Sequence, residues 1–358
     1  MKLFASLAFL LVSISLYSQS DQLSDKKLVQ YFSDINKAEN KITENDFQAA
    51  ETFYRKAFAG YKEPQAKDIY NSMQVSLKLK NHDEAFLRYQ ALKCLEYQFE
   101  PQFYDENFSF YKAETPIKCN VKLDSGYKNT LDSLFTIDQY YRKLSGGDNV
   151  KYQKEITKSD SLISTKLLKL IRQKGFPNEY NIGLASNDKS FFHQFYLIIS
   201  HQLAKNTIGP QRINFSKEII KGLNKGKIAP DYAAFLLDVN NGTNSYSSSY
   251  FEINQFITEK TEDKSFNQIE KSLQHADCCY VHEWFSPEKR DKKAKKMVDE
   301  INGRRTKIGM SILDDNLKKK IYSLSNKDFE LAEAGVTEHY LKDPSEVEML
   351  KKNLIKIK

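Results

Sequence analysis

The sequence predicts a mainly α fold, in which helical hairpins at the front are followed by a compact helical domain. Three observations predict it. Apolar residues recur every three or four positions through most of the chain, as one face of a helix requires. Between residues 28 and 99 the only glycine is Gly60 and the only proline Pro64, both in the gap between two helical patterns. A unit of 35 residues occurs twice in that stretch.

Residues 1–20 come first: Met1-Lys2, an apolar run from Leu3 to Tyr17 broken only by serines, then the polar Ser18-Gln19-Ser20-Asp21-Gln22. A run of about 15 apolar residues is short of the roughly 20 needed to span a bilayer, so a cleaved secretory signal is expected rather than an anchor. No later run is apolar enough to span. The expected destination is periplasmic or extracellular, with no stable membrane insertion after cleavage. The remaining chain is long enough for two domains, each with its own core. A net charge of +7 on a chain that is 28% charged favours solubility. It falls short of the dense basic stripe that binds nucleic acid, so no nucleic-acid partner is expected.

Four cysteines, Cys94, Cys119, Cys278 and Cys279, would be oxidised in an exported chain. Adjacent cysteines rarely bond each other, because the ring they close strains the peptide. A Cys94–Cys119 bridge, or one reaching the Cys278-Cys279 pair from elsewhere, is therefore expected.

In residues 21–112, the segment from Asn45 to Ala57 aligns with that from Lys80 to Leu92, placing Ala50 on Ala85 and Tyr54 on Tyr89. The first helices of the two pairs fall at about residues 28–42 and 67–79, with Ala38 and Met73 at matching positions. Small and aromatic positions at this period resemble a degenerate tetratricopeptide repeat, which implies antiparallel helix pairs and a surface for a peptide or protein partner. Two such units bury too little surface to stand alone, so they should pack on residues 97–111 or on the following domain.

Residues 113–126 read as a linker. Thr115-Pro116 interrupts the helical pattern, and Ile117, Cys119, Val121 and Leu123 alternate as in a short strand or extended chain. The region 127–358 reads as helical. Leu131, Leu134, Phe135, Ile137, Tyr141 and Leu144 form one stripe ended by Gly146-Gly147. A second helix over about 159–174 stops at Gly175-Phe176-Pro177. A third, about 190–204, is apolar nearly all round and should be central. A shorter one covers 231–238, and residues 240–245 read as a loop. The Lys-rich tail, about 287–300 and from 316 onward, reads as helices with solvated faces.

Asp138-Gln139 with Arg142, Gly175-Phe176-Pro177 with Gly183, His201 late in an apolar helix, and the stretch from Ala233 to Asp238 follow one another in that order. So do Ile301-Asn302, Arg305 and Ile308-Gly309. Together they resemble an uncharacterised bacterial family known only as a domain of unknown function, number 6624. That family carries no established activity, so the resemblance implies an arrangement and no reaction.

Asp138 and Arg142 lie one helical turn apart, close enough to pair on one face. With His201 and Asp238 they could form a polar cluster in which a carboxylate orients an imidazole base. These four are the candidate catalytic residues, and the bland alternative is an internal ion pair that orients helices. His275, Cys278, Cys279, His282 and Glu283 form the densest group of metal-type ligands, but without standard zinc spacing, and no metal or cofactor is expected. The leading expectation is a binding or scaffolding module; the alternative is a hydrolase-type enzyme using the four-residue cluster.

Overall fold

The computed structural model describes residues 22–111, 117–148, 150–184, 191–208, 213–248, 251–257, 277–282, 285–333, 335–340, 344–352 and 354–357. Residues 1–20 therefore lie outside the described residues. Those described are mainly helical, with a small mixed sheet toward the C-terminus.

The front consists of two hairpins, α1 (Lys26–Thr43) with α2 (Phe47–Gly60) and α3 (Ala66–Lys78) with α4 (His82–Cys94). Their turns are the same structure built twice. Asn45 and Lys80, 35 residues apart, both adopt the left-handed conformation, at φ 58° and 56°. The next residue in each turn donates its amide back across it, Asp46 to Lys41 O at 2.9 Å and Asn81 to Ser76 O at 2.8 Å. Those same residues cap the second helices, Asp46 accepting from the Ala49 amide and Asn81 from the Glu84 amide. Ala50, Ala85, Tyr54 and Tyr89 are all buried. The second hairpin also packs on residues 97–111 as expected, with Phe86 stacked on Tyr111 at 4.2 Å and α5 (Phe103–Phe108) burying Phe108.

Residues 117–124 form neither helix nor paired strand, and Cys119 is bridged to Cys94 at the end of α4. Asp124 then caps α6 (Ser125–Ser145), which ends at Gly146 with φ 60°. The helix α7 (Gln153–Lys174) follows, then the single turn α8 (Glu179–Ile182). The apolar helix α9 (Phe195–Ile208) packs against α6, α7 and α11 (Pro230–Asn241), with α10 (Ser216–Leu223) beside α11. It is central as expected, but it begins later than its apolar run. Phe191 stays outside it, stacking on Tyr97 of the front cluster at 5.3 Å.

The largest correction to the helical reading of the tail is a four-stranded sheet. Its strands are β1 (Phe251–Ile257), β2 (Asp277–His282), β3 (Gly335–Tyr340) and β4 (Leu354–Lys356), in the order β3-β1-β2-β4. β1 pairs parallel with β3 and antiparallel with β2, which pairs antiparallel with β4. Helix α12 (Lys292–Lys307) precedes α13 (Leu313–Ser325), and α14 (Pro344–Lys351) precedes β4. Alternation along β2 explains the sheet's burial. Val281 joins Ile253 and Leu317 of α13 on one face, while Tyr280 joins Phe256 and Val347 of α14 on the other.

A second correction concerns the cysteines: Cys278 and Cys279 are bonded to each other, across a cis peptide bond that brings their Cα atoms to 3.1 Å. The tail is also less solvated than its composition suggests, since Lys319 and Lys320 of α13 are buried.

Front and back share one core, and the largest apolar cluster runs from Leu23 and Leu28 through Ile199 to Phe329 and Leu331. The face shared by α1 and α3 is covered by the chain itself. α13 packs on α1, and residues 326–333 lie along α3. Gly309, at φ 88°, lies so close to Phe32 that a Cβ there would meet its ring at 2.8 Å. Nearby, the Asn36 amide donates to the Gly309 carbonyl at 2.9 Å.

Candidate functional site

The structure brings three of the four sequence-derived residues together. Asp138, buried on α6, accepts from Gln139 Nε2 at 2.7 Å, and the same oxygen lies 2.8 Å from His201 Nδ1 on α9. A proton on Nδ1 would be held there by the carboxylate, leaving Nε2 as the acceptor. His201 is about a quarter exposed, and Nε2 has no bonded partner among the described residues. Arg142 makes its main partnership elsewhere. Its guanidinium reaches Asp160 of α7 through two parallel bonds of 2.8 and 2.9 Å, while Nη1 stands 3.5 Å from Asp138.

Asp160 was missed by the sequence reading, yet a signal exists. It falls on the stripe of Ile156, Ile163 and Leu167, where a carboxylate among apolar neighbours needs an internal partner. Asp238 does not join the group. One of its oxygens accepts from Thr243 Oγ1 and the Ser245 amide, the other from the Tyr246 amide and Ser248 Oγ, at 2.6 to 3.1 Å. Four donors from one loop make it an anchor for residues 243–248.

None of these four side chains lines the principal cavity. That cavity, about 300 Å³, lies where α3, α11 and α13 meet the segment 326–333. Tyr232, Phe235, Phe191, Phe329 and Leu331 give it apolar walls. Asp231, Glu330, Glu333, Lys67, Lys320 and Lys327 bring charge to the same space. A concave apolar site with a few converging polar groups is the usual form of a ligand site.

The segment that closes the cavity is held by its backbone. Asn71 Nδ2 donates to Glu330 O and Asn71 Oδ1 accepts the Glu330 amide, both at 2.7 Å. Lys67 Nζ donates to Leu331 O at 2.9 Å, and Phe329 stacks on Phe47. Beneath the segment lies a buried charge network in which Glu39 takes Lys319 at 2.6 Å and Lys67 at 3.0 Å. Burial would raise the Glu39 carboxyl, but the two ammonium groups outweigh it and hold the carboxyl below its ordinary value. Burial would likewise lower Lys67, but Glu39 and Asp231 hold its ammonium above the ordinary lysine range.

Asp68 shows the opposite balance. Burial pushes its carboxyl up to about 7, with Lys67 opposing and Glu39 adding to the rise. It accepts from Tyr31 OH at 2.5 Å, and that hydroxyl in turn accepts the Gln65 amide. Each carboxylate here stands on the inward stripe of its helix, which is the only mark it leaves in the sequence.

Among the described residues, no group of three or more His, Cys, Asp or Glu side chains is placed to hold a metal. Cys278 and Cys279 are spent on their mutual bridge, and His275 and Glu283 lie outside the described residues. Nor is any described helix long and apolar enough to cross a membrane. No protein-family model, curated protein or solved structure matches this chain.

Proposed function

We propose that this chain is an exported binding module built on tetratricopeptide-like hairpins, and that it holds a peptide partner in the cavity between α3, α11 and the segment 316–333. The observation that carries the reading is the cavity itself, an amphipathic space of about 300 Å³ whose walls come from both ends of the chain. Helix α3 already grips a segment of this chain by its backbone, through Asn71 and Lys67. That grip reads no side chain, so it is a mode suited to peptides. Phe329 and Leu331 are buried to 3% exposure. Burying such side chains is worth roughly 1.5–3 kcal/mol each. The resident segment therefore stays in place, and a partner enters beside it. Export is supported by the Cys94–Cys119 bridge, which persists only in an oxidising compartment.

Titration of the full chain with pools of short peptides, read by calorimetry, tests this. Saturable binding that disappears when Ala332→Trp fills the cavity is the expected result. Binding unchanged by that substitution, or no binding to the parent, would remove the reading.

A hydrolase-type activity is the second reading, and the 2.8 Å contact between Asp138 and His201 favours it. Turnover of ester or phosphate panels by the parent, lost in His201→Ala and Asp138→Asn, is its signature. A parent inert on those panels would end it.

A further inference from the structure

The end of the α6–α7 hairpin stands clear of the core. From Gln139 to Glu155 the only buried residue among those described is Ser145. The side chains it turns outward are nevertheless apolar. Ile137, Tyr140 and Leu144 share one face of α6, three and four positions apart, and are 49%, 55% and 48% exposed. Val150, in the connection to α7, is 79% exposed. Of the eleven large apolar side chains exposed among the described residues, five lie on this hairpin, Leu162 of α7 being the fifth. Apolar side chains gathered on an exposed surface mark a contact site.

Two features say what it contacts. The first is a row of rings. Tyr140 lies 5.0 Å from Tyr141 and Tyr141 lies 5.9 Å from Tyr152, with Lys151 Nζ 5.5 Å from the centre of the Tyr152 ring. Tyrosine, apolar in body and polar at its tip, is a residue that settles at the headgroup level of a bilayer. The second feature is charge. Arg142 is matched by Asp160, which leaves Lys143, Lys151, Lys154 and Lys158 exposed against Asp148 and Glu155. None of those four ammonium groups takes part in an ion pair among the described residues. A soluble polyanion would make no use of Leu144 and Val150. A folded protein partner is also a poor fit, because the apolar side chains expose well under the ~800 Å² per partner that a stable interface takes. Acidic headgroups over an apolar layer use both the lysines and the side chains between them.

We propose that the end of the α6–α7 hairpin docks this protein on the surface of a bilayer containing anionic lipid. Tyr140, Leu144 and Val150 enter the headgroup layer, and Lys143, Lys151 and Lys154 meet lipid phosphates, their stems lying along the apolar side chains. Docking is peripheral, since no described helix is long and apolar enough to cross a membrane. It is independent of the cavity, which none of these residues lines.

Vesicle sedimentation tests it on the chain begun at Asp21. The apolar run of residues 3–17 would enter a bilayer by itself, and the described core begins only at Leu23. Vesicles of phosphatidylcholine and phosphatidylglycerol in equal parts are expected to bind at least about tenfold more tightly than phosphatidylcholine alone, and added salt to weaken the binding. Tyr140→Ser with Leu144→Ser and Val150→Ser, and separately Lys143→Gln with Lys151→Gln and Lys154→Gln, should each weaken it at least about tenfold. All six positions are exposed, so thermal melts of both variants should match the parent. Lys292→Gln with Lys293→Gln and Lys296→Gln, an equal charge change on α12, should alter binding little. Failure of the parent to bind the mixed vesicles would overturn the proposal. So would an equal loss from the α12 set, which would make net charge the cause. Loss with the glutamine set at the hairpin but not with the serine set would overturn entry of the apolar side chains into the bilayer. Self-association of the parent in sedimentation equilibrium, abolished by the serine set, would give the face to a second copy of the chain instead.

Discussion

Asn71 and Glu330 are joined by two hydrogen bonds of 2.7 Å, one to each backbone group of Glu330, although 259 residues separate them. A side-chain amide carries one donor edge and one acceptor edge, so it can bond both backbone groups of one residue without reading its side chain. The clamp ties the first half of the chain to the last and sets one wall of the cavity.

Asn71→Ala should therefore cost about 2 kcal/mol, the net worth of two hydrogen bonds with their backbone groups left poorly satisfied. Urea denaturation measures the loss, and limited proteolysis should show new cleavage within residues 326–333. An unchanged midpoint would mean that Phe329 and Leu331 hold the segment alone.

Asp68 sets a pH dependence whose sign follows from its raised carboxyl. An unfolded aspartate titrates near 4, whereas Asp68 in the fold titrates at about 7. Between those values the folded chain binds the extra proton, so this group's contribution to stability is complete below about 4 and is lost as pH rises through 7. Asp68→Asn keeps an acceptor for Tyr31 and removes the titration. Relative to the parent it should gain on the order of 2 kcal/mol or more at pH 8 and little at pH 4. A difference that does not vary between those pH values would refute the assignment.

Arg142 neutralises Asp160 directly and stands 3.5 Å from Asp138, and both carboxylates are buried. Arg142→Ala should destabilise by about 3–5 kcal/mol, since it strands charge inside the fold. Arg142→Lys should rescue only part of this, because an ammonium cannot reproduce two parallel bonds. Pairing Arg142→Ala with Asp160→Ala should recover part of the loss. A thermodynamic cycle over the two sites gives the coupling, and strict additivity would contradict the pairing.

The Cys94–Cys119 bridge closes a loop with a sequence separation of 25. Chain-entropy arguments put its contribution at about 3–4 kcal/mol, and Cys94→Ala with Cys119→Ala should lose that amount in denaturation. Thiol titration of the denatured, unreduced parent should find no free thiol, because all four cysteines are bridged. Finding two or more would contradict the bridging.

Much of the helical framework could be read from spacing. The 35-residue offset pairs Asn45 with Lys80, and the structure places a left-handed turn residue at both. The meeting of Asp138 with His201 was also legible, as polar groups on apolar helix faces. Asp160, Glu39 and Asp68 carry the same mark, but nothing in the sequence names Arg142, Lys319 and Tyr31 as their partners. Asp238 was assigned to the cluster on residue type alone, and the neighbouring loop claims it instead.

The strands show where local reading stops. β1 and β3 are short segments more than 75 residues apart, and their pairing rests on backbone bonds that no local period encodes. The same holds for the cavity, whose lining reaches from Lys67 to Glu333. By itself the sequence determined which segments coil and which faces turn inward, since both follow from the order of apolar and polar residues within a few turns. Only the tertiary structure decided which charges meet, which face of the front hairpins is already filled and where a ligand-sized space remains. Those outcomes depend on distances between residues far apart in the chain, which are fixed only once the core has packed.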